Sequence, residues 1–76
     1  MLKNQIISVI GLGKMGLGIY NRLYNKNFNI YGYDINPDIK INNSHIKFLE
    51  LEKIFELSHL ILLVVPSNEE IYSIIK

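Results

Sequence analysis

The sequence predicts an α/β fold in which helices cover both faces of a partial, doubly wound parallel sheet. Short apolar segments alternate along the chain with segments of helical periodicity, the pattern of strand–helix–strand units. Gln5–Ile10 and Leu60–Val65 are mostly apolar, as strands buried on both faces are. Right-handed crossovers then place four short strands, numbered along the sequence, in the order 3-2-1-4.

The first predicted strand and the first predicted helix flank a glycine-rich turn. Gln5–Ile10 is rich in β-branched residues and stops at Gly11, which predicts a short buried strand. The turn covers Gly11–Gly18, and helical spacing extends over Met15–Lys26. The apolar face of this helix is predicted to comprise Met15, Ile19, Tyr20 and Leu23.

The middle of the chain predicts shorter elements. Phe28–Asp34 has the composition of a second strand, and Ile35–Asp38 follows it as a turn. Pro37–Ile41 is long enough for one helical turn, which Asn42–Ser44 would end. His45–Phe48 is predicted to be a weak, short third strand.

The last third of the chain predicts a helix, a strand and a helix. Leu60–Val65 is the most strongly apolar predicted strand and ends at Pro66. Ser67 can cap a final helix, Asn68–Lys76. The short helix Glu50–Leu57 precedes the strand. Its predicted inward face consists of Leu51, Ile54, Phe55 and Leu57.

Length and composition restrict the class of protein. With 76 residues, the chain is expected to form one small domain, residues 1–76, and 49% hydrophobic residues suffice for a core. A net charge of +1 argues against nucleic acid as the partner. The sequence has no cysteine and only two separated histidines, so no metal site is expected. The longest apolar run has seven residues, too few to span a membrane, and a cytoplasmic location is expected.

The segment Gly11–Gly16 carries the strongest functional pattern, G-x-G-x-x-G. It follows a predicted strand and opens a predicted helix, which is the context that a dinucleotide-binding turn requires. Gly11 permits a sharp turn off the strand, and Gly13 lets the backbone approach a pyrophosphate. Gly16 lets the helix pack closely on the strand. The amide groups at the helix start would receive the phosphate charge.

Asp34 completes this pattern at the end of the second predicted strand. It lies 23 residues after Gly11 and 18 after Gly16, close to the expected spacing of about 20. Its carboxylate would accept hydrogen bonds from the hydroxyls of the adenosine ribose and would repel a 2′-phosphate. Ile35, not an arginine, follows it, so NAD is predicted in preference to NADP.

Several other side chains have a structural and a functional interpretation. Lys14 is predicted to be solvated, although it could touch phosphate, and Met15 is predicted to pack in the turn or the core. Ser67 and Asn68 could contact a ligand, but capping of the last helix is the favoured interpretation. The two histidines are predicted to be surface or capping residues, and the tyrosines to be packing residues with solvated hydroxyls.

Three segments resemble the β-hydroxyacid dehydrogenases, the family of 6-phosphogluconate and 3-hydroxyisobutyrate dehydrogenases. These are Ile10–Gly16, Tyr33–Pro37 and Leu63–Pro66. The resemblance extends over nearly the whole chain, which would correspond to the first third of a typical family member. The resemblance implies the N-terminal, Rossmann-type NAD-binding domain of such an enzyme. The cofactor-binding residues that it implies are Gly11, Leu12, Gly13, Lys14, Met15, Gly16, Asp34, Ile35, Asn36, Val64, Val65 and Pro66.

The resemblance implies that the chain holds NAD for hydride transfer from a β-hydroxyacid. No catalytic residue is predicted here, because the family's catalytic lysine and helical second domain would follow residue 76. Two alternatives remain open: a non-catalytic nucleotide-sensing or interaction module, and the N-terminal part of a nucleotide-sugar dehydrogenase, which Gly32–Pro37 also fits. The apolar strand Leu60–Val65 would lie at the edge of the sheet, where it could pair with another subunit in a homo-oligomer.

Overall fold

The computed structural model describes residues 4–64, and three parallel strands form its sheet. The strands lie in the order β2-β1-β3. The predicted α/β class with a parallel sheet is confirmed, while Val65 and the predicted helix Asn68–Lys76 lie outside the described residues. The elements in chain order are β1 (Ile6–Ile10), α1 (Lys14–Asn25), β2 (Asn29–Tyr33), α2 (Pro37–Asn42), α3 (Leu51–Leu57) and β3 (Leu60–Leu63).

The central strand β1 is buried because it pairs on both sides. Ile7 lies opposite Ile30 of β2 and Leu60 of β3. Since side chains alternate along a strand, Ile7 and Val9 point to the face covered by α1. The buried cluster on this face consists of Ile7, Val9, Leu12, Tyr20, Ile30 and Ile46.

The predicted third strand, His45–Phe48, is wrong as a strand and survives as a single parallel bridge. Phe48 pairs with Gly32, whose N–H donates to Lys47 O at 2.9 Å. Ile46 N–H instead donates to Asn43 O at 3.1 Å, so the chain is turned before the bridge and cannot run alongside β2. The predicted order 3-2-1-4 is therefore realised as three strands with one bridge at the outer edge of β2.

Strand β3 is less buried than its apolar sequence predicts. Leu60 and Leu63 are exposed, Leu63 by 47%, although Leu62 packs against the main cluster. The reason is position: within residues 4–64, β3 pairs only with β1 and forms an edge of the sheet.

Helix α1 lies against the end of β1 through a glycine contact. A Cβ built on Gly16 would lie only 1.7 Å from the carbonyl oxygen of Gly11 and 3.6 Å from Cβ of Val64. No side chain fits there, so the backbone of α1 approaches the end of β1 as closely as it does only because residue 16 is glycine. Gly18, two residues further along α1, faces open space.

Tyr20 anchors α1 to the segment that follows α2. Its side chain is fully buried, and its hydroxyl accepts a 2.8 Å hydrogen bond from Lys47 N–H, so a solvated hydroxyl was the wrong expectation for this tyrosine. Its ring stacks on Tyr24, and His45 meets both rings edge-on. Met15, also predicted on the buried face, is 72% exposed, because the buried face of α1 is formed by Gly16 and Tyr20, one turn apart, and Met15 lies to one side of it.

Helix α3 lies on the other face of the sheet. Ser8, which alternates with Ile7 and Val9, is buried, and its hydroxyl lies 2.5 Å from that of Ser58, the residue after α3. Ile54 is the buried residue of α3. The prediction that Phe55 and Leu57 point inward was wrong, since both are exposed.

Among the described residues, no helix has the length and hydrophobicity needed to cross a membrane.

Replacement of Gly16 by alanine is expected to destabilise the protein severely. The new Cβ would collide with a backbone oxygen that cannot move without displacing β1, so we expect a loss of about 3 kcal/mol or more in the free energy of unfolding. The matched control Gly18→Ala adds a Cβ in open space and is expected to stabilise α1 by up to about 1 kcal/mol. Urea unfolding followed by circular dichroism measures both changes, and equal stability of the two variants would contradict the contact.

The buried hydroxyl of Tyr20 predicts a loss of stability at alkaline pH. Burial raises the pKa of Tyr20, partly offset by the hydrogen bond from Lys47 and reinforced by Tyr24 and Tyr31. The folded state therefore holds the phenol proton more tightly than the unfolded state. The free energy of unfolding should be independent of this group below about pH 10 and should fall as the pH rises above it.

The variant Tyr20→Phe isolates this effect. It leaves Lys47 N–H without its acceptor, which should cost about 1 kcal/mol at neutral pH, and it should remove part of the alkaline decline. Urea unfolding between pH 7 and pH 11 measures both quantities. The variant Tyr33→Phe, at a tyrosine that is not among the groups acting on Tyr20, controls for general tyrosine ionisation, and an identical decline in wild type and Tyr20→Phe would refute the assignment.

Candidate functional site

The glycine turn begins with a backbone conformation that favours glycine. Gly11 has φ of 99°, in the region that L side chains rarely adopt. Its N–H donates to Tyr33 O at 2.8 Å, which extends the pairing of β1 with β2 by one residue. The chain can therefore leave the sheet sharply at Gly11 and enter α1 three residues later.

Nothing in the described part of the chain requires a glycine at position 13. Its φ of −71° suits any residue, and a Cβ there would meet nothing within 4 Å. It is the N-cap of α1, no side chain caps this helix, and Leu17 N–H makes the first bond, to Gly13 O at 2.8 Å. The first turn contains no acidic residue. An uncapped helix start beside open space fits a phosphate, which the backbone amides and the helix dipole would bind.

Asp34 joins the glycine turn to the end of β2. Its Oδ2 accepts a 2.6 Å hydrogen bond from Leu12 N–H, and its Oδ1 accepts a 2.8 Å bond from Asn36 N–H. Since a carboxylate offers about four acceptor positions, two remain for the hydroxyls of a ribose. The side chain of Leu12 is buried, and its N–H already donates to Asp34. Leu12 therefore stabilises the turn and has no N–H free for a ligand.

A cavity of about 190 Å³ opens beside Asp34. It lies where β2 ends, α2 begins and the chain approaches α3. Asn36 has its side chain engaged as the N-cap of α2, since its Oδ1 accepts from Asp38 N–H at 3.0 Å. The residues that line the cavity are Tyr33, Asp34, Asn36, Pro37, Lys40, Phe48, Leu49 and Glu50.

The sequence did not single out Lys40, Phe48, Leu49 or Glu50 as lining residues. Lys40 belongs to a helix that was expected to be one turn. Phe48 ends the segment that was expected to be a weak, short strand, and Leu49 and Glu50 follow it. The sequence could have indicated these residues through the predicted topology. A segment that pairs in parallel with β2 ends at the same edge of the sheet as Asp34, so the residues after it lie next to Asp34.

The remaining predicted site residues have different positions. Lys14 and Met15 are exposed and line a separate cavity of about 490 Å³ along α1, closed on one side by Leu62. Ile35 is exposed and does not line the cavity beside Asp34. Val64 lies at the glycine turn, where its N–H donates to Ile10 O at 2.8 Å. The expected contacts of Val65, Pro66, Ser67 and Asn68 fall outside the described residues.

Neither histidine is hydrogen-bonded to the glycine turn. His45 Nε2 lies 2.6 Å from Asn21 Oδ1. His59 Nδ1 accepts a 2.9 Å hydrogen bond from Ile6 N–H, at the amino end of β1, opposite the end that carries the turn. Residues 4–64 contain no group of three or more side chains placed to hold a metal ion.

Comparison with known proteins identifies the family. The family model for the NAD binding domain of D-isomer specific 2-hydroxyacid dehydrogenases matches residues 1–76. A glyoxylate reductase of Thermofilum pendens is 30% identical over an alignment of 76 positions, which covers 97% of this chain and 22% of that protein. The chain thus spans about a fifth of this relative's length. No solved structure matches the chain.

These findings confirm a Rossmann-type domain and NAD as its cofactor, and they correct the expected family. The resemblance to the β-hydroxyacid dehydrogenases was wrong at the level of the family, and neither a 6-phosphogluconate dehydrogenase nor an NADP site is supported. The glycine motif and the acidic residue that follows it bind the cofactor in many dehydrogenases, so they do not distinguish these families. The chain belongs to the NAD-binding domains of the D-isomer specific 2-hydroxyacid dehydrogenases.

Proposed function

We propose that this domain holds the adenosine and pyrophosphate of NAD for the interconversion of a small D-2-hydroxyacid and its 2-oxoacid, of which glyoxylate is an example. The name of the relative, a glyoxylate reductase, supports this substrate class. When bound, NAD supplies the hydride acceptor and its reduced form the hydride donor. The substrate-binding and catalytic groups are proposed to come from outside the described residues.

The observation that carries the proposal is the open space at Gly13 next to an uncapped helix. Gly11 and Gly16 have steric and conformational reasons to be glycine within the chain, whereas Gly13 has none. A ligand that needs close approach to the backbone supplies that reason, and the helix start selects an anion.

Asp34 would complete the binding of the adenosine. It lies one hydrogen bond from Leu12 in the glycine turn, so ribose hydroxyls at its free acceptor positions would be joined to a phosphate at the helix start. The two backbone bonds to Leu12 and Asn36 hold the carboxylate in place before ligand binds, which lowers the entropy lost on binding.

Val64 would form the boundary of the site towards the nicotinamide. Its backbone is paired with Ile10 and its side chain lies near Gly16, so the end of β3 adjoins the glycine turn. Ligands of open parallel sheets bind at these carboxyl ends. We therefore propose that NAD extends from the cavity beside Asp34, across Gly13, towards Val64.

The variant Gly13→Val is expected to abolish most NAD binding while it preserves the fold. Its side chain would occupy the space proposed for the pyrophosphate, and it meets no atom of the chain within 4 Å at its Cβ. We expect at most about 1 kcal/mol of destabilisation, from a poorer N-cap. Calorimetric titration with NAD and urea unfolding test this, with Gly18→Ala as the control variant. Undiminished affinity for NAD in Gly13→Val would show that the glycine pattern is only structural.

The variant Asp34→Ala is expected to weaken NAD binding and to reduce the preference for NAD over NADP. Loss of the carboxylate removes the acceptor of the ribose hydroxyls and the charge that repels a 2′-phosphate. It also leaves Leu12 and Asn36 N–H groups without their acceptor, so about 1–3 kcal/mol of stability should be lost. Titration with NAD and NADP measures the preference, and wild-type affinity for both cofactors would remove Asp34 from the site.

A further inference from the structure

We propose that Glu50 makes the cavity beside Asp34 selective for adenine, by accepting a hydrogen bond from the 6-amino group of the base. This inference rests on the proposed function, because it assumes that the ribose of NAD is bound at Asp34. It assigns the recognition of the base to Glu50, a residue outside both the glycine motif and the acidic residue at the end of β2.

The cavity has the size and the walls of a site for one ring system. Its volume of about 190 Å³ is below the range of sites that enclose whole drug-sized ligands, about 300–1,000 Å³. Pro37, Phe48 and Leu49 give it apolar walls, against which a flat base can pack. Phe48 is held in place by its bridge to Gly32. Because Asp34 lines the same cavity, a base attached to a ribose at Asp34 falls within reach of these walls.

Once the remaining acceptor positions of Asp34 are taken by ribose, Glu50 is the carboxylate available to a base in this cavity. The Tyr33 hydroxyl also lines the cavity, but it can both donate and accept and therefore does not discriminate between bases. Asp34 accepts from two backbone amides, and the Asn36 side-chain oxygen accepts from Asp38 N–H. Within residues 4–64, the Glu50 carboxylate makes no hydrogen bond or ion pair, and it does not cap α3. Its carbonyl accepts from Ile54 N–H at 3.0 Å, which holds the backbone of residue 50 at the cavity.

The charge of Glu50 determines which base suits the cavity. A carboxylate accepts hydrogen bonds and donates none, so it suits the 6-amino group of adenine and opposes the 6-oxo group of hypoxanthine. Lys40, the cation that lines the cavity, is a donor and cannot produce this preference. A glutamine at position 50 could present either its oxygen or its amide nitrogen, and so would suit both bases.

The experiment compares NAD with nicotinamide hypoxanthine dinucleotide, which carries a 6-oxo group and an N1–H where NAD has the 6-amino group and an unprotonated N1. Calorimetric titration uses the full 76-residue chain, with folding checked by circular dichroism. We expect wild type to prefer NAD by about tenfold, equivalent to about 1.4 kcal/mol and near the lower end for a hydrogen bond to a charged group. Glu50→Gln should bind the two dinucleotides within about twofold of each other. Glu52→Gln, at an exposed carboxylate that does not line the cavity, should keep the wild-type preference.

The other possible results contradict either the role of Glu50 alone or the proposed function as well. Equal binding of the two dinucleotides by wild type, or a preserved preference in Glu50→Gln, refutes the role of Glu50 and leaves the proposed function intact. Loss of the preference in Glu52→Gln also refutes it, because the effect would then be a general one of charge. Failure of folded wild type to bind either dinucleotide refutes the proposed function, and this inference with it.

Discussion

The close approach of Gly16 in α1 to the carbonyl oxygen of Gly11 is the constraint on which the rest of the structure depends. A distance of 1.7 Å from a built Cβ to that oxygen leaves room for no side chain. The contact sets where α1 begins, and hence where its uncapped amides point. It also leaves room for Val64 beside the turn, so the end of β3 adjoins the start of α1. The absence of a Cβ at residue 16 therefore allows the glycine turn, the start of α1 and the end of β3 to lie next to one another.

Asp34 makes the second contact that stabilises the glycine turn, through hydrogen bonds of its carboxylate. Its carboxylate bonds the glycine turn through Leu12 and the start of the next turn through Asn36. The residue expected to bind ribose is thus also a structural residue, and the two roles use different acceptor positions of one carboxylate. This dual use explains why an acidic residue at the end of β2 is informative about both the fold and the ligand.

The segment between α2 and α3 shows how a shortened element can still shape a site. A full third strand would have continued the sheet beyond β2, but the turn at Asn43 and Ile46 leaves only the bridge between Gly32 and Phe48. The bridge nevertheless directs Phe48 and the residues after it to the carboxyl edge of the sheet. There they face Asp34 across a cavity that the strand and helix assignments did not reveal.

The sequence by itself determined the fold class, the glycine turn, the position of Asp34 and the preference for NAD, because each depends on short-range pattern: apolar runs, glycine spacing and a single charge. It did not determine the dehydrogenase family, since the motif that binds the cofactor carries no information on the substrate. Only the tertiary structure decided that Met15 is exposed, that Leu60 and Leu63 of β3 are exposed and that the Tyr20 hydroxyl is bonded to Lys47. It also decided that Glu50 lines the cavity beside Asp34. These features depend on which segments meet across the sheet, and contacts between residues 16 to 27 positions apart leave no periodic signal in the chain.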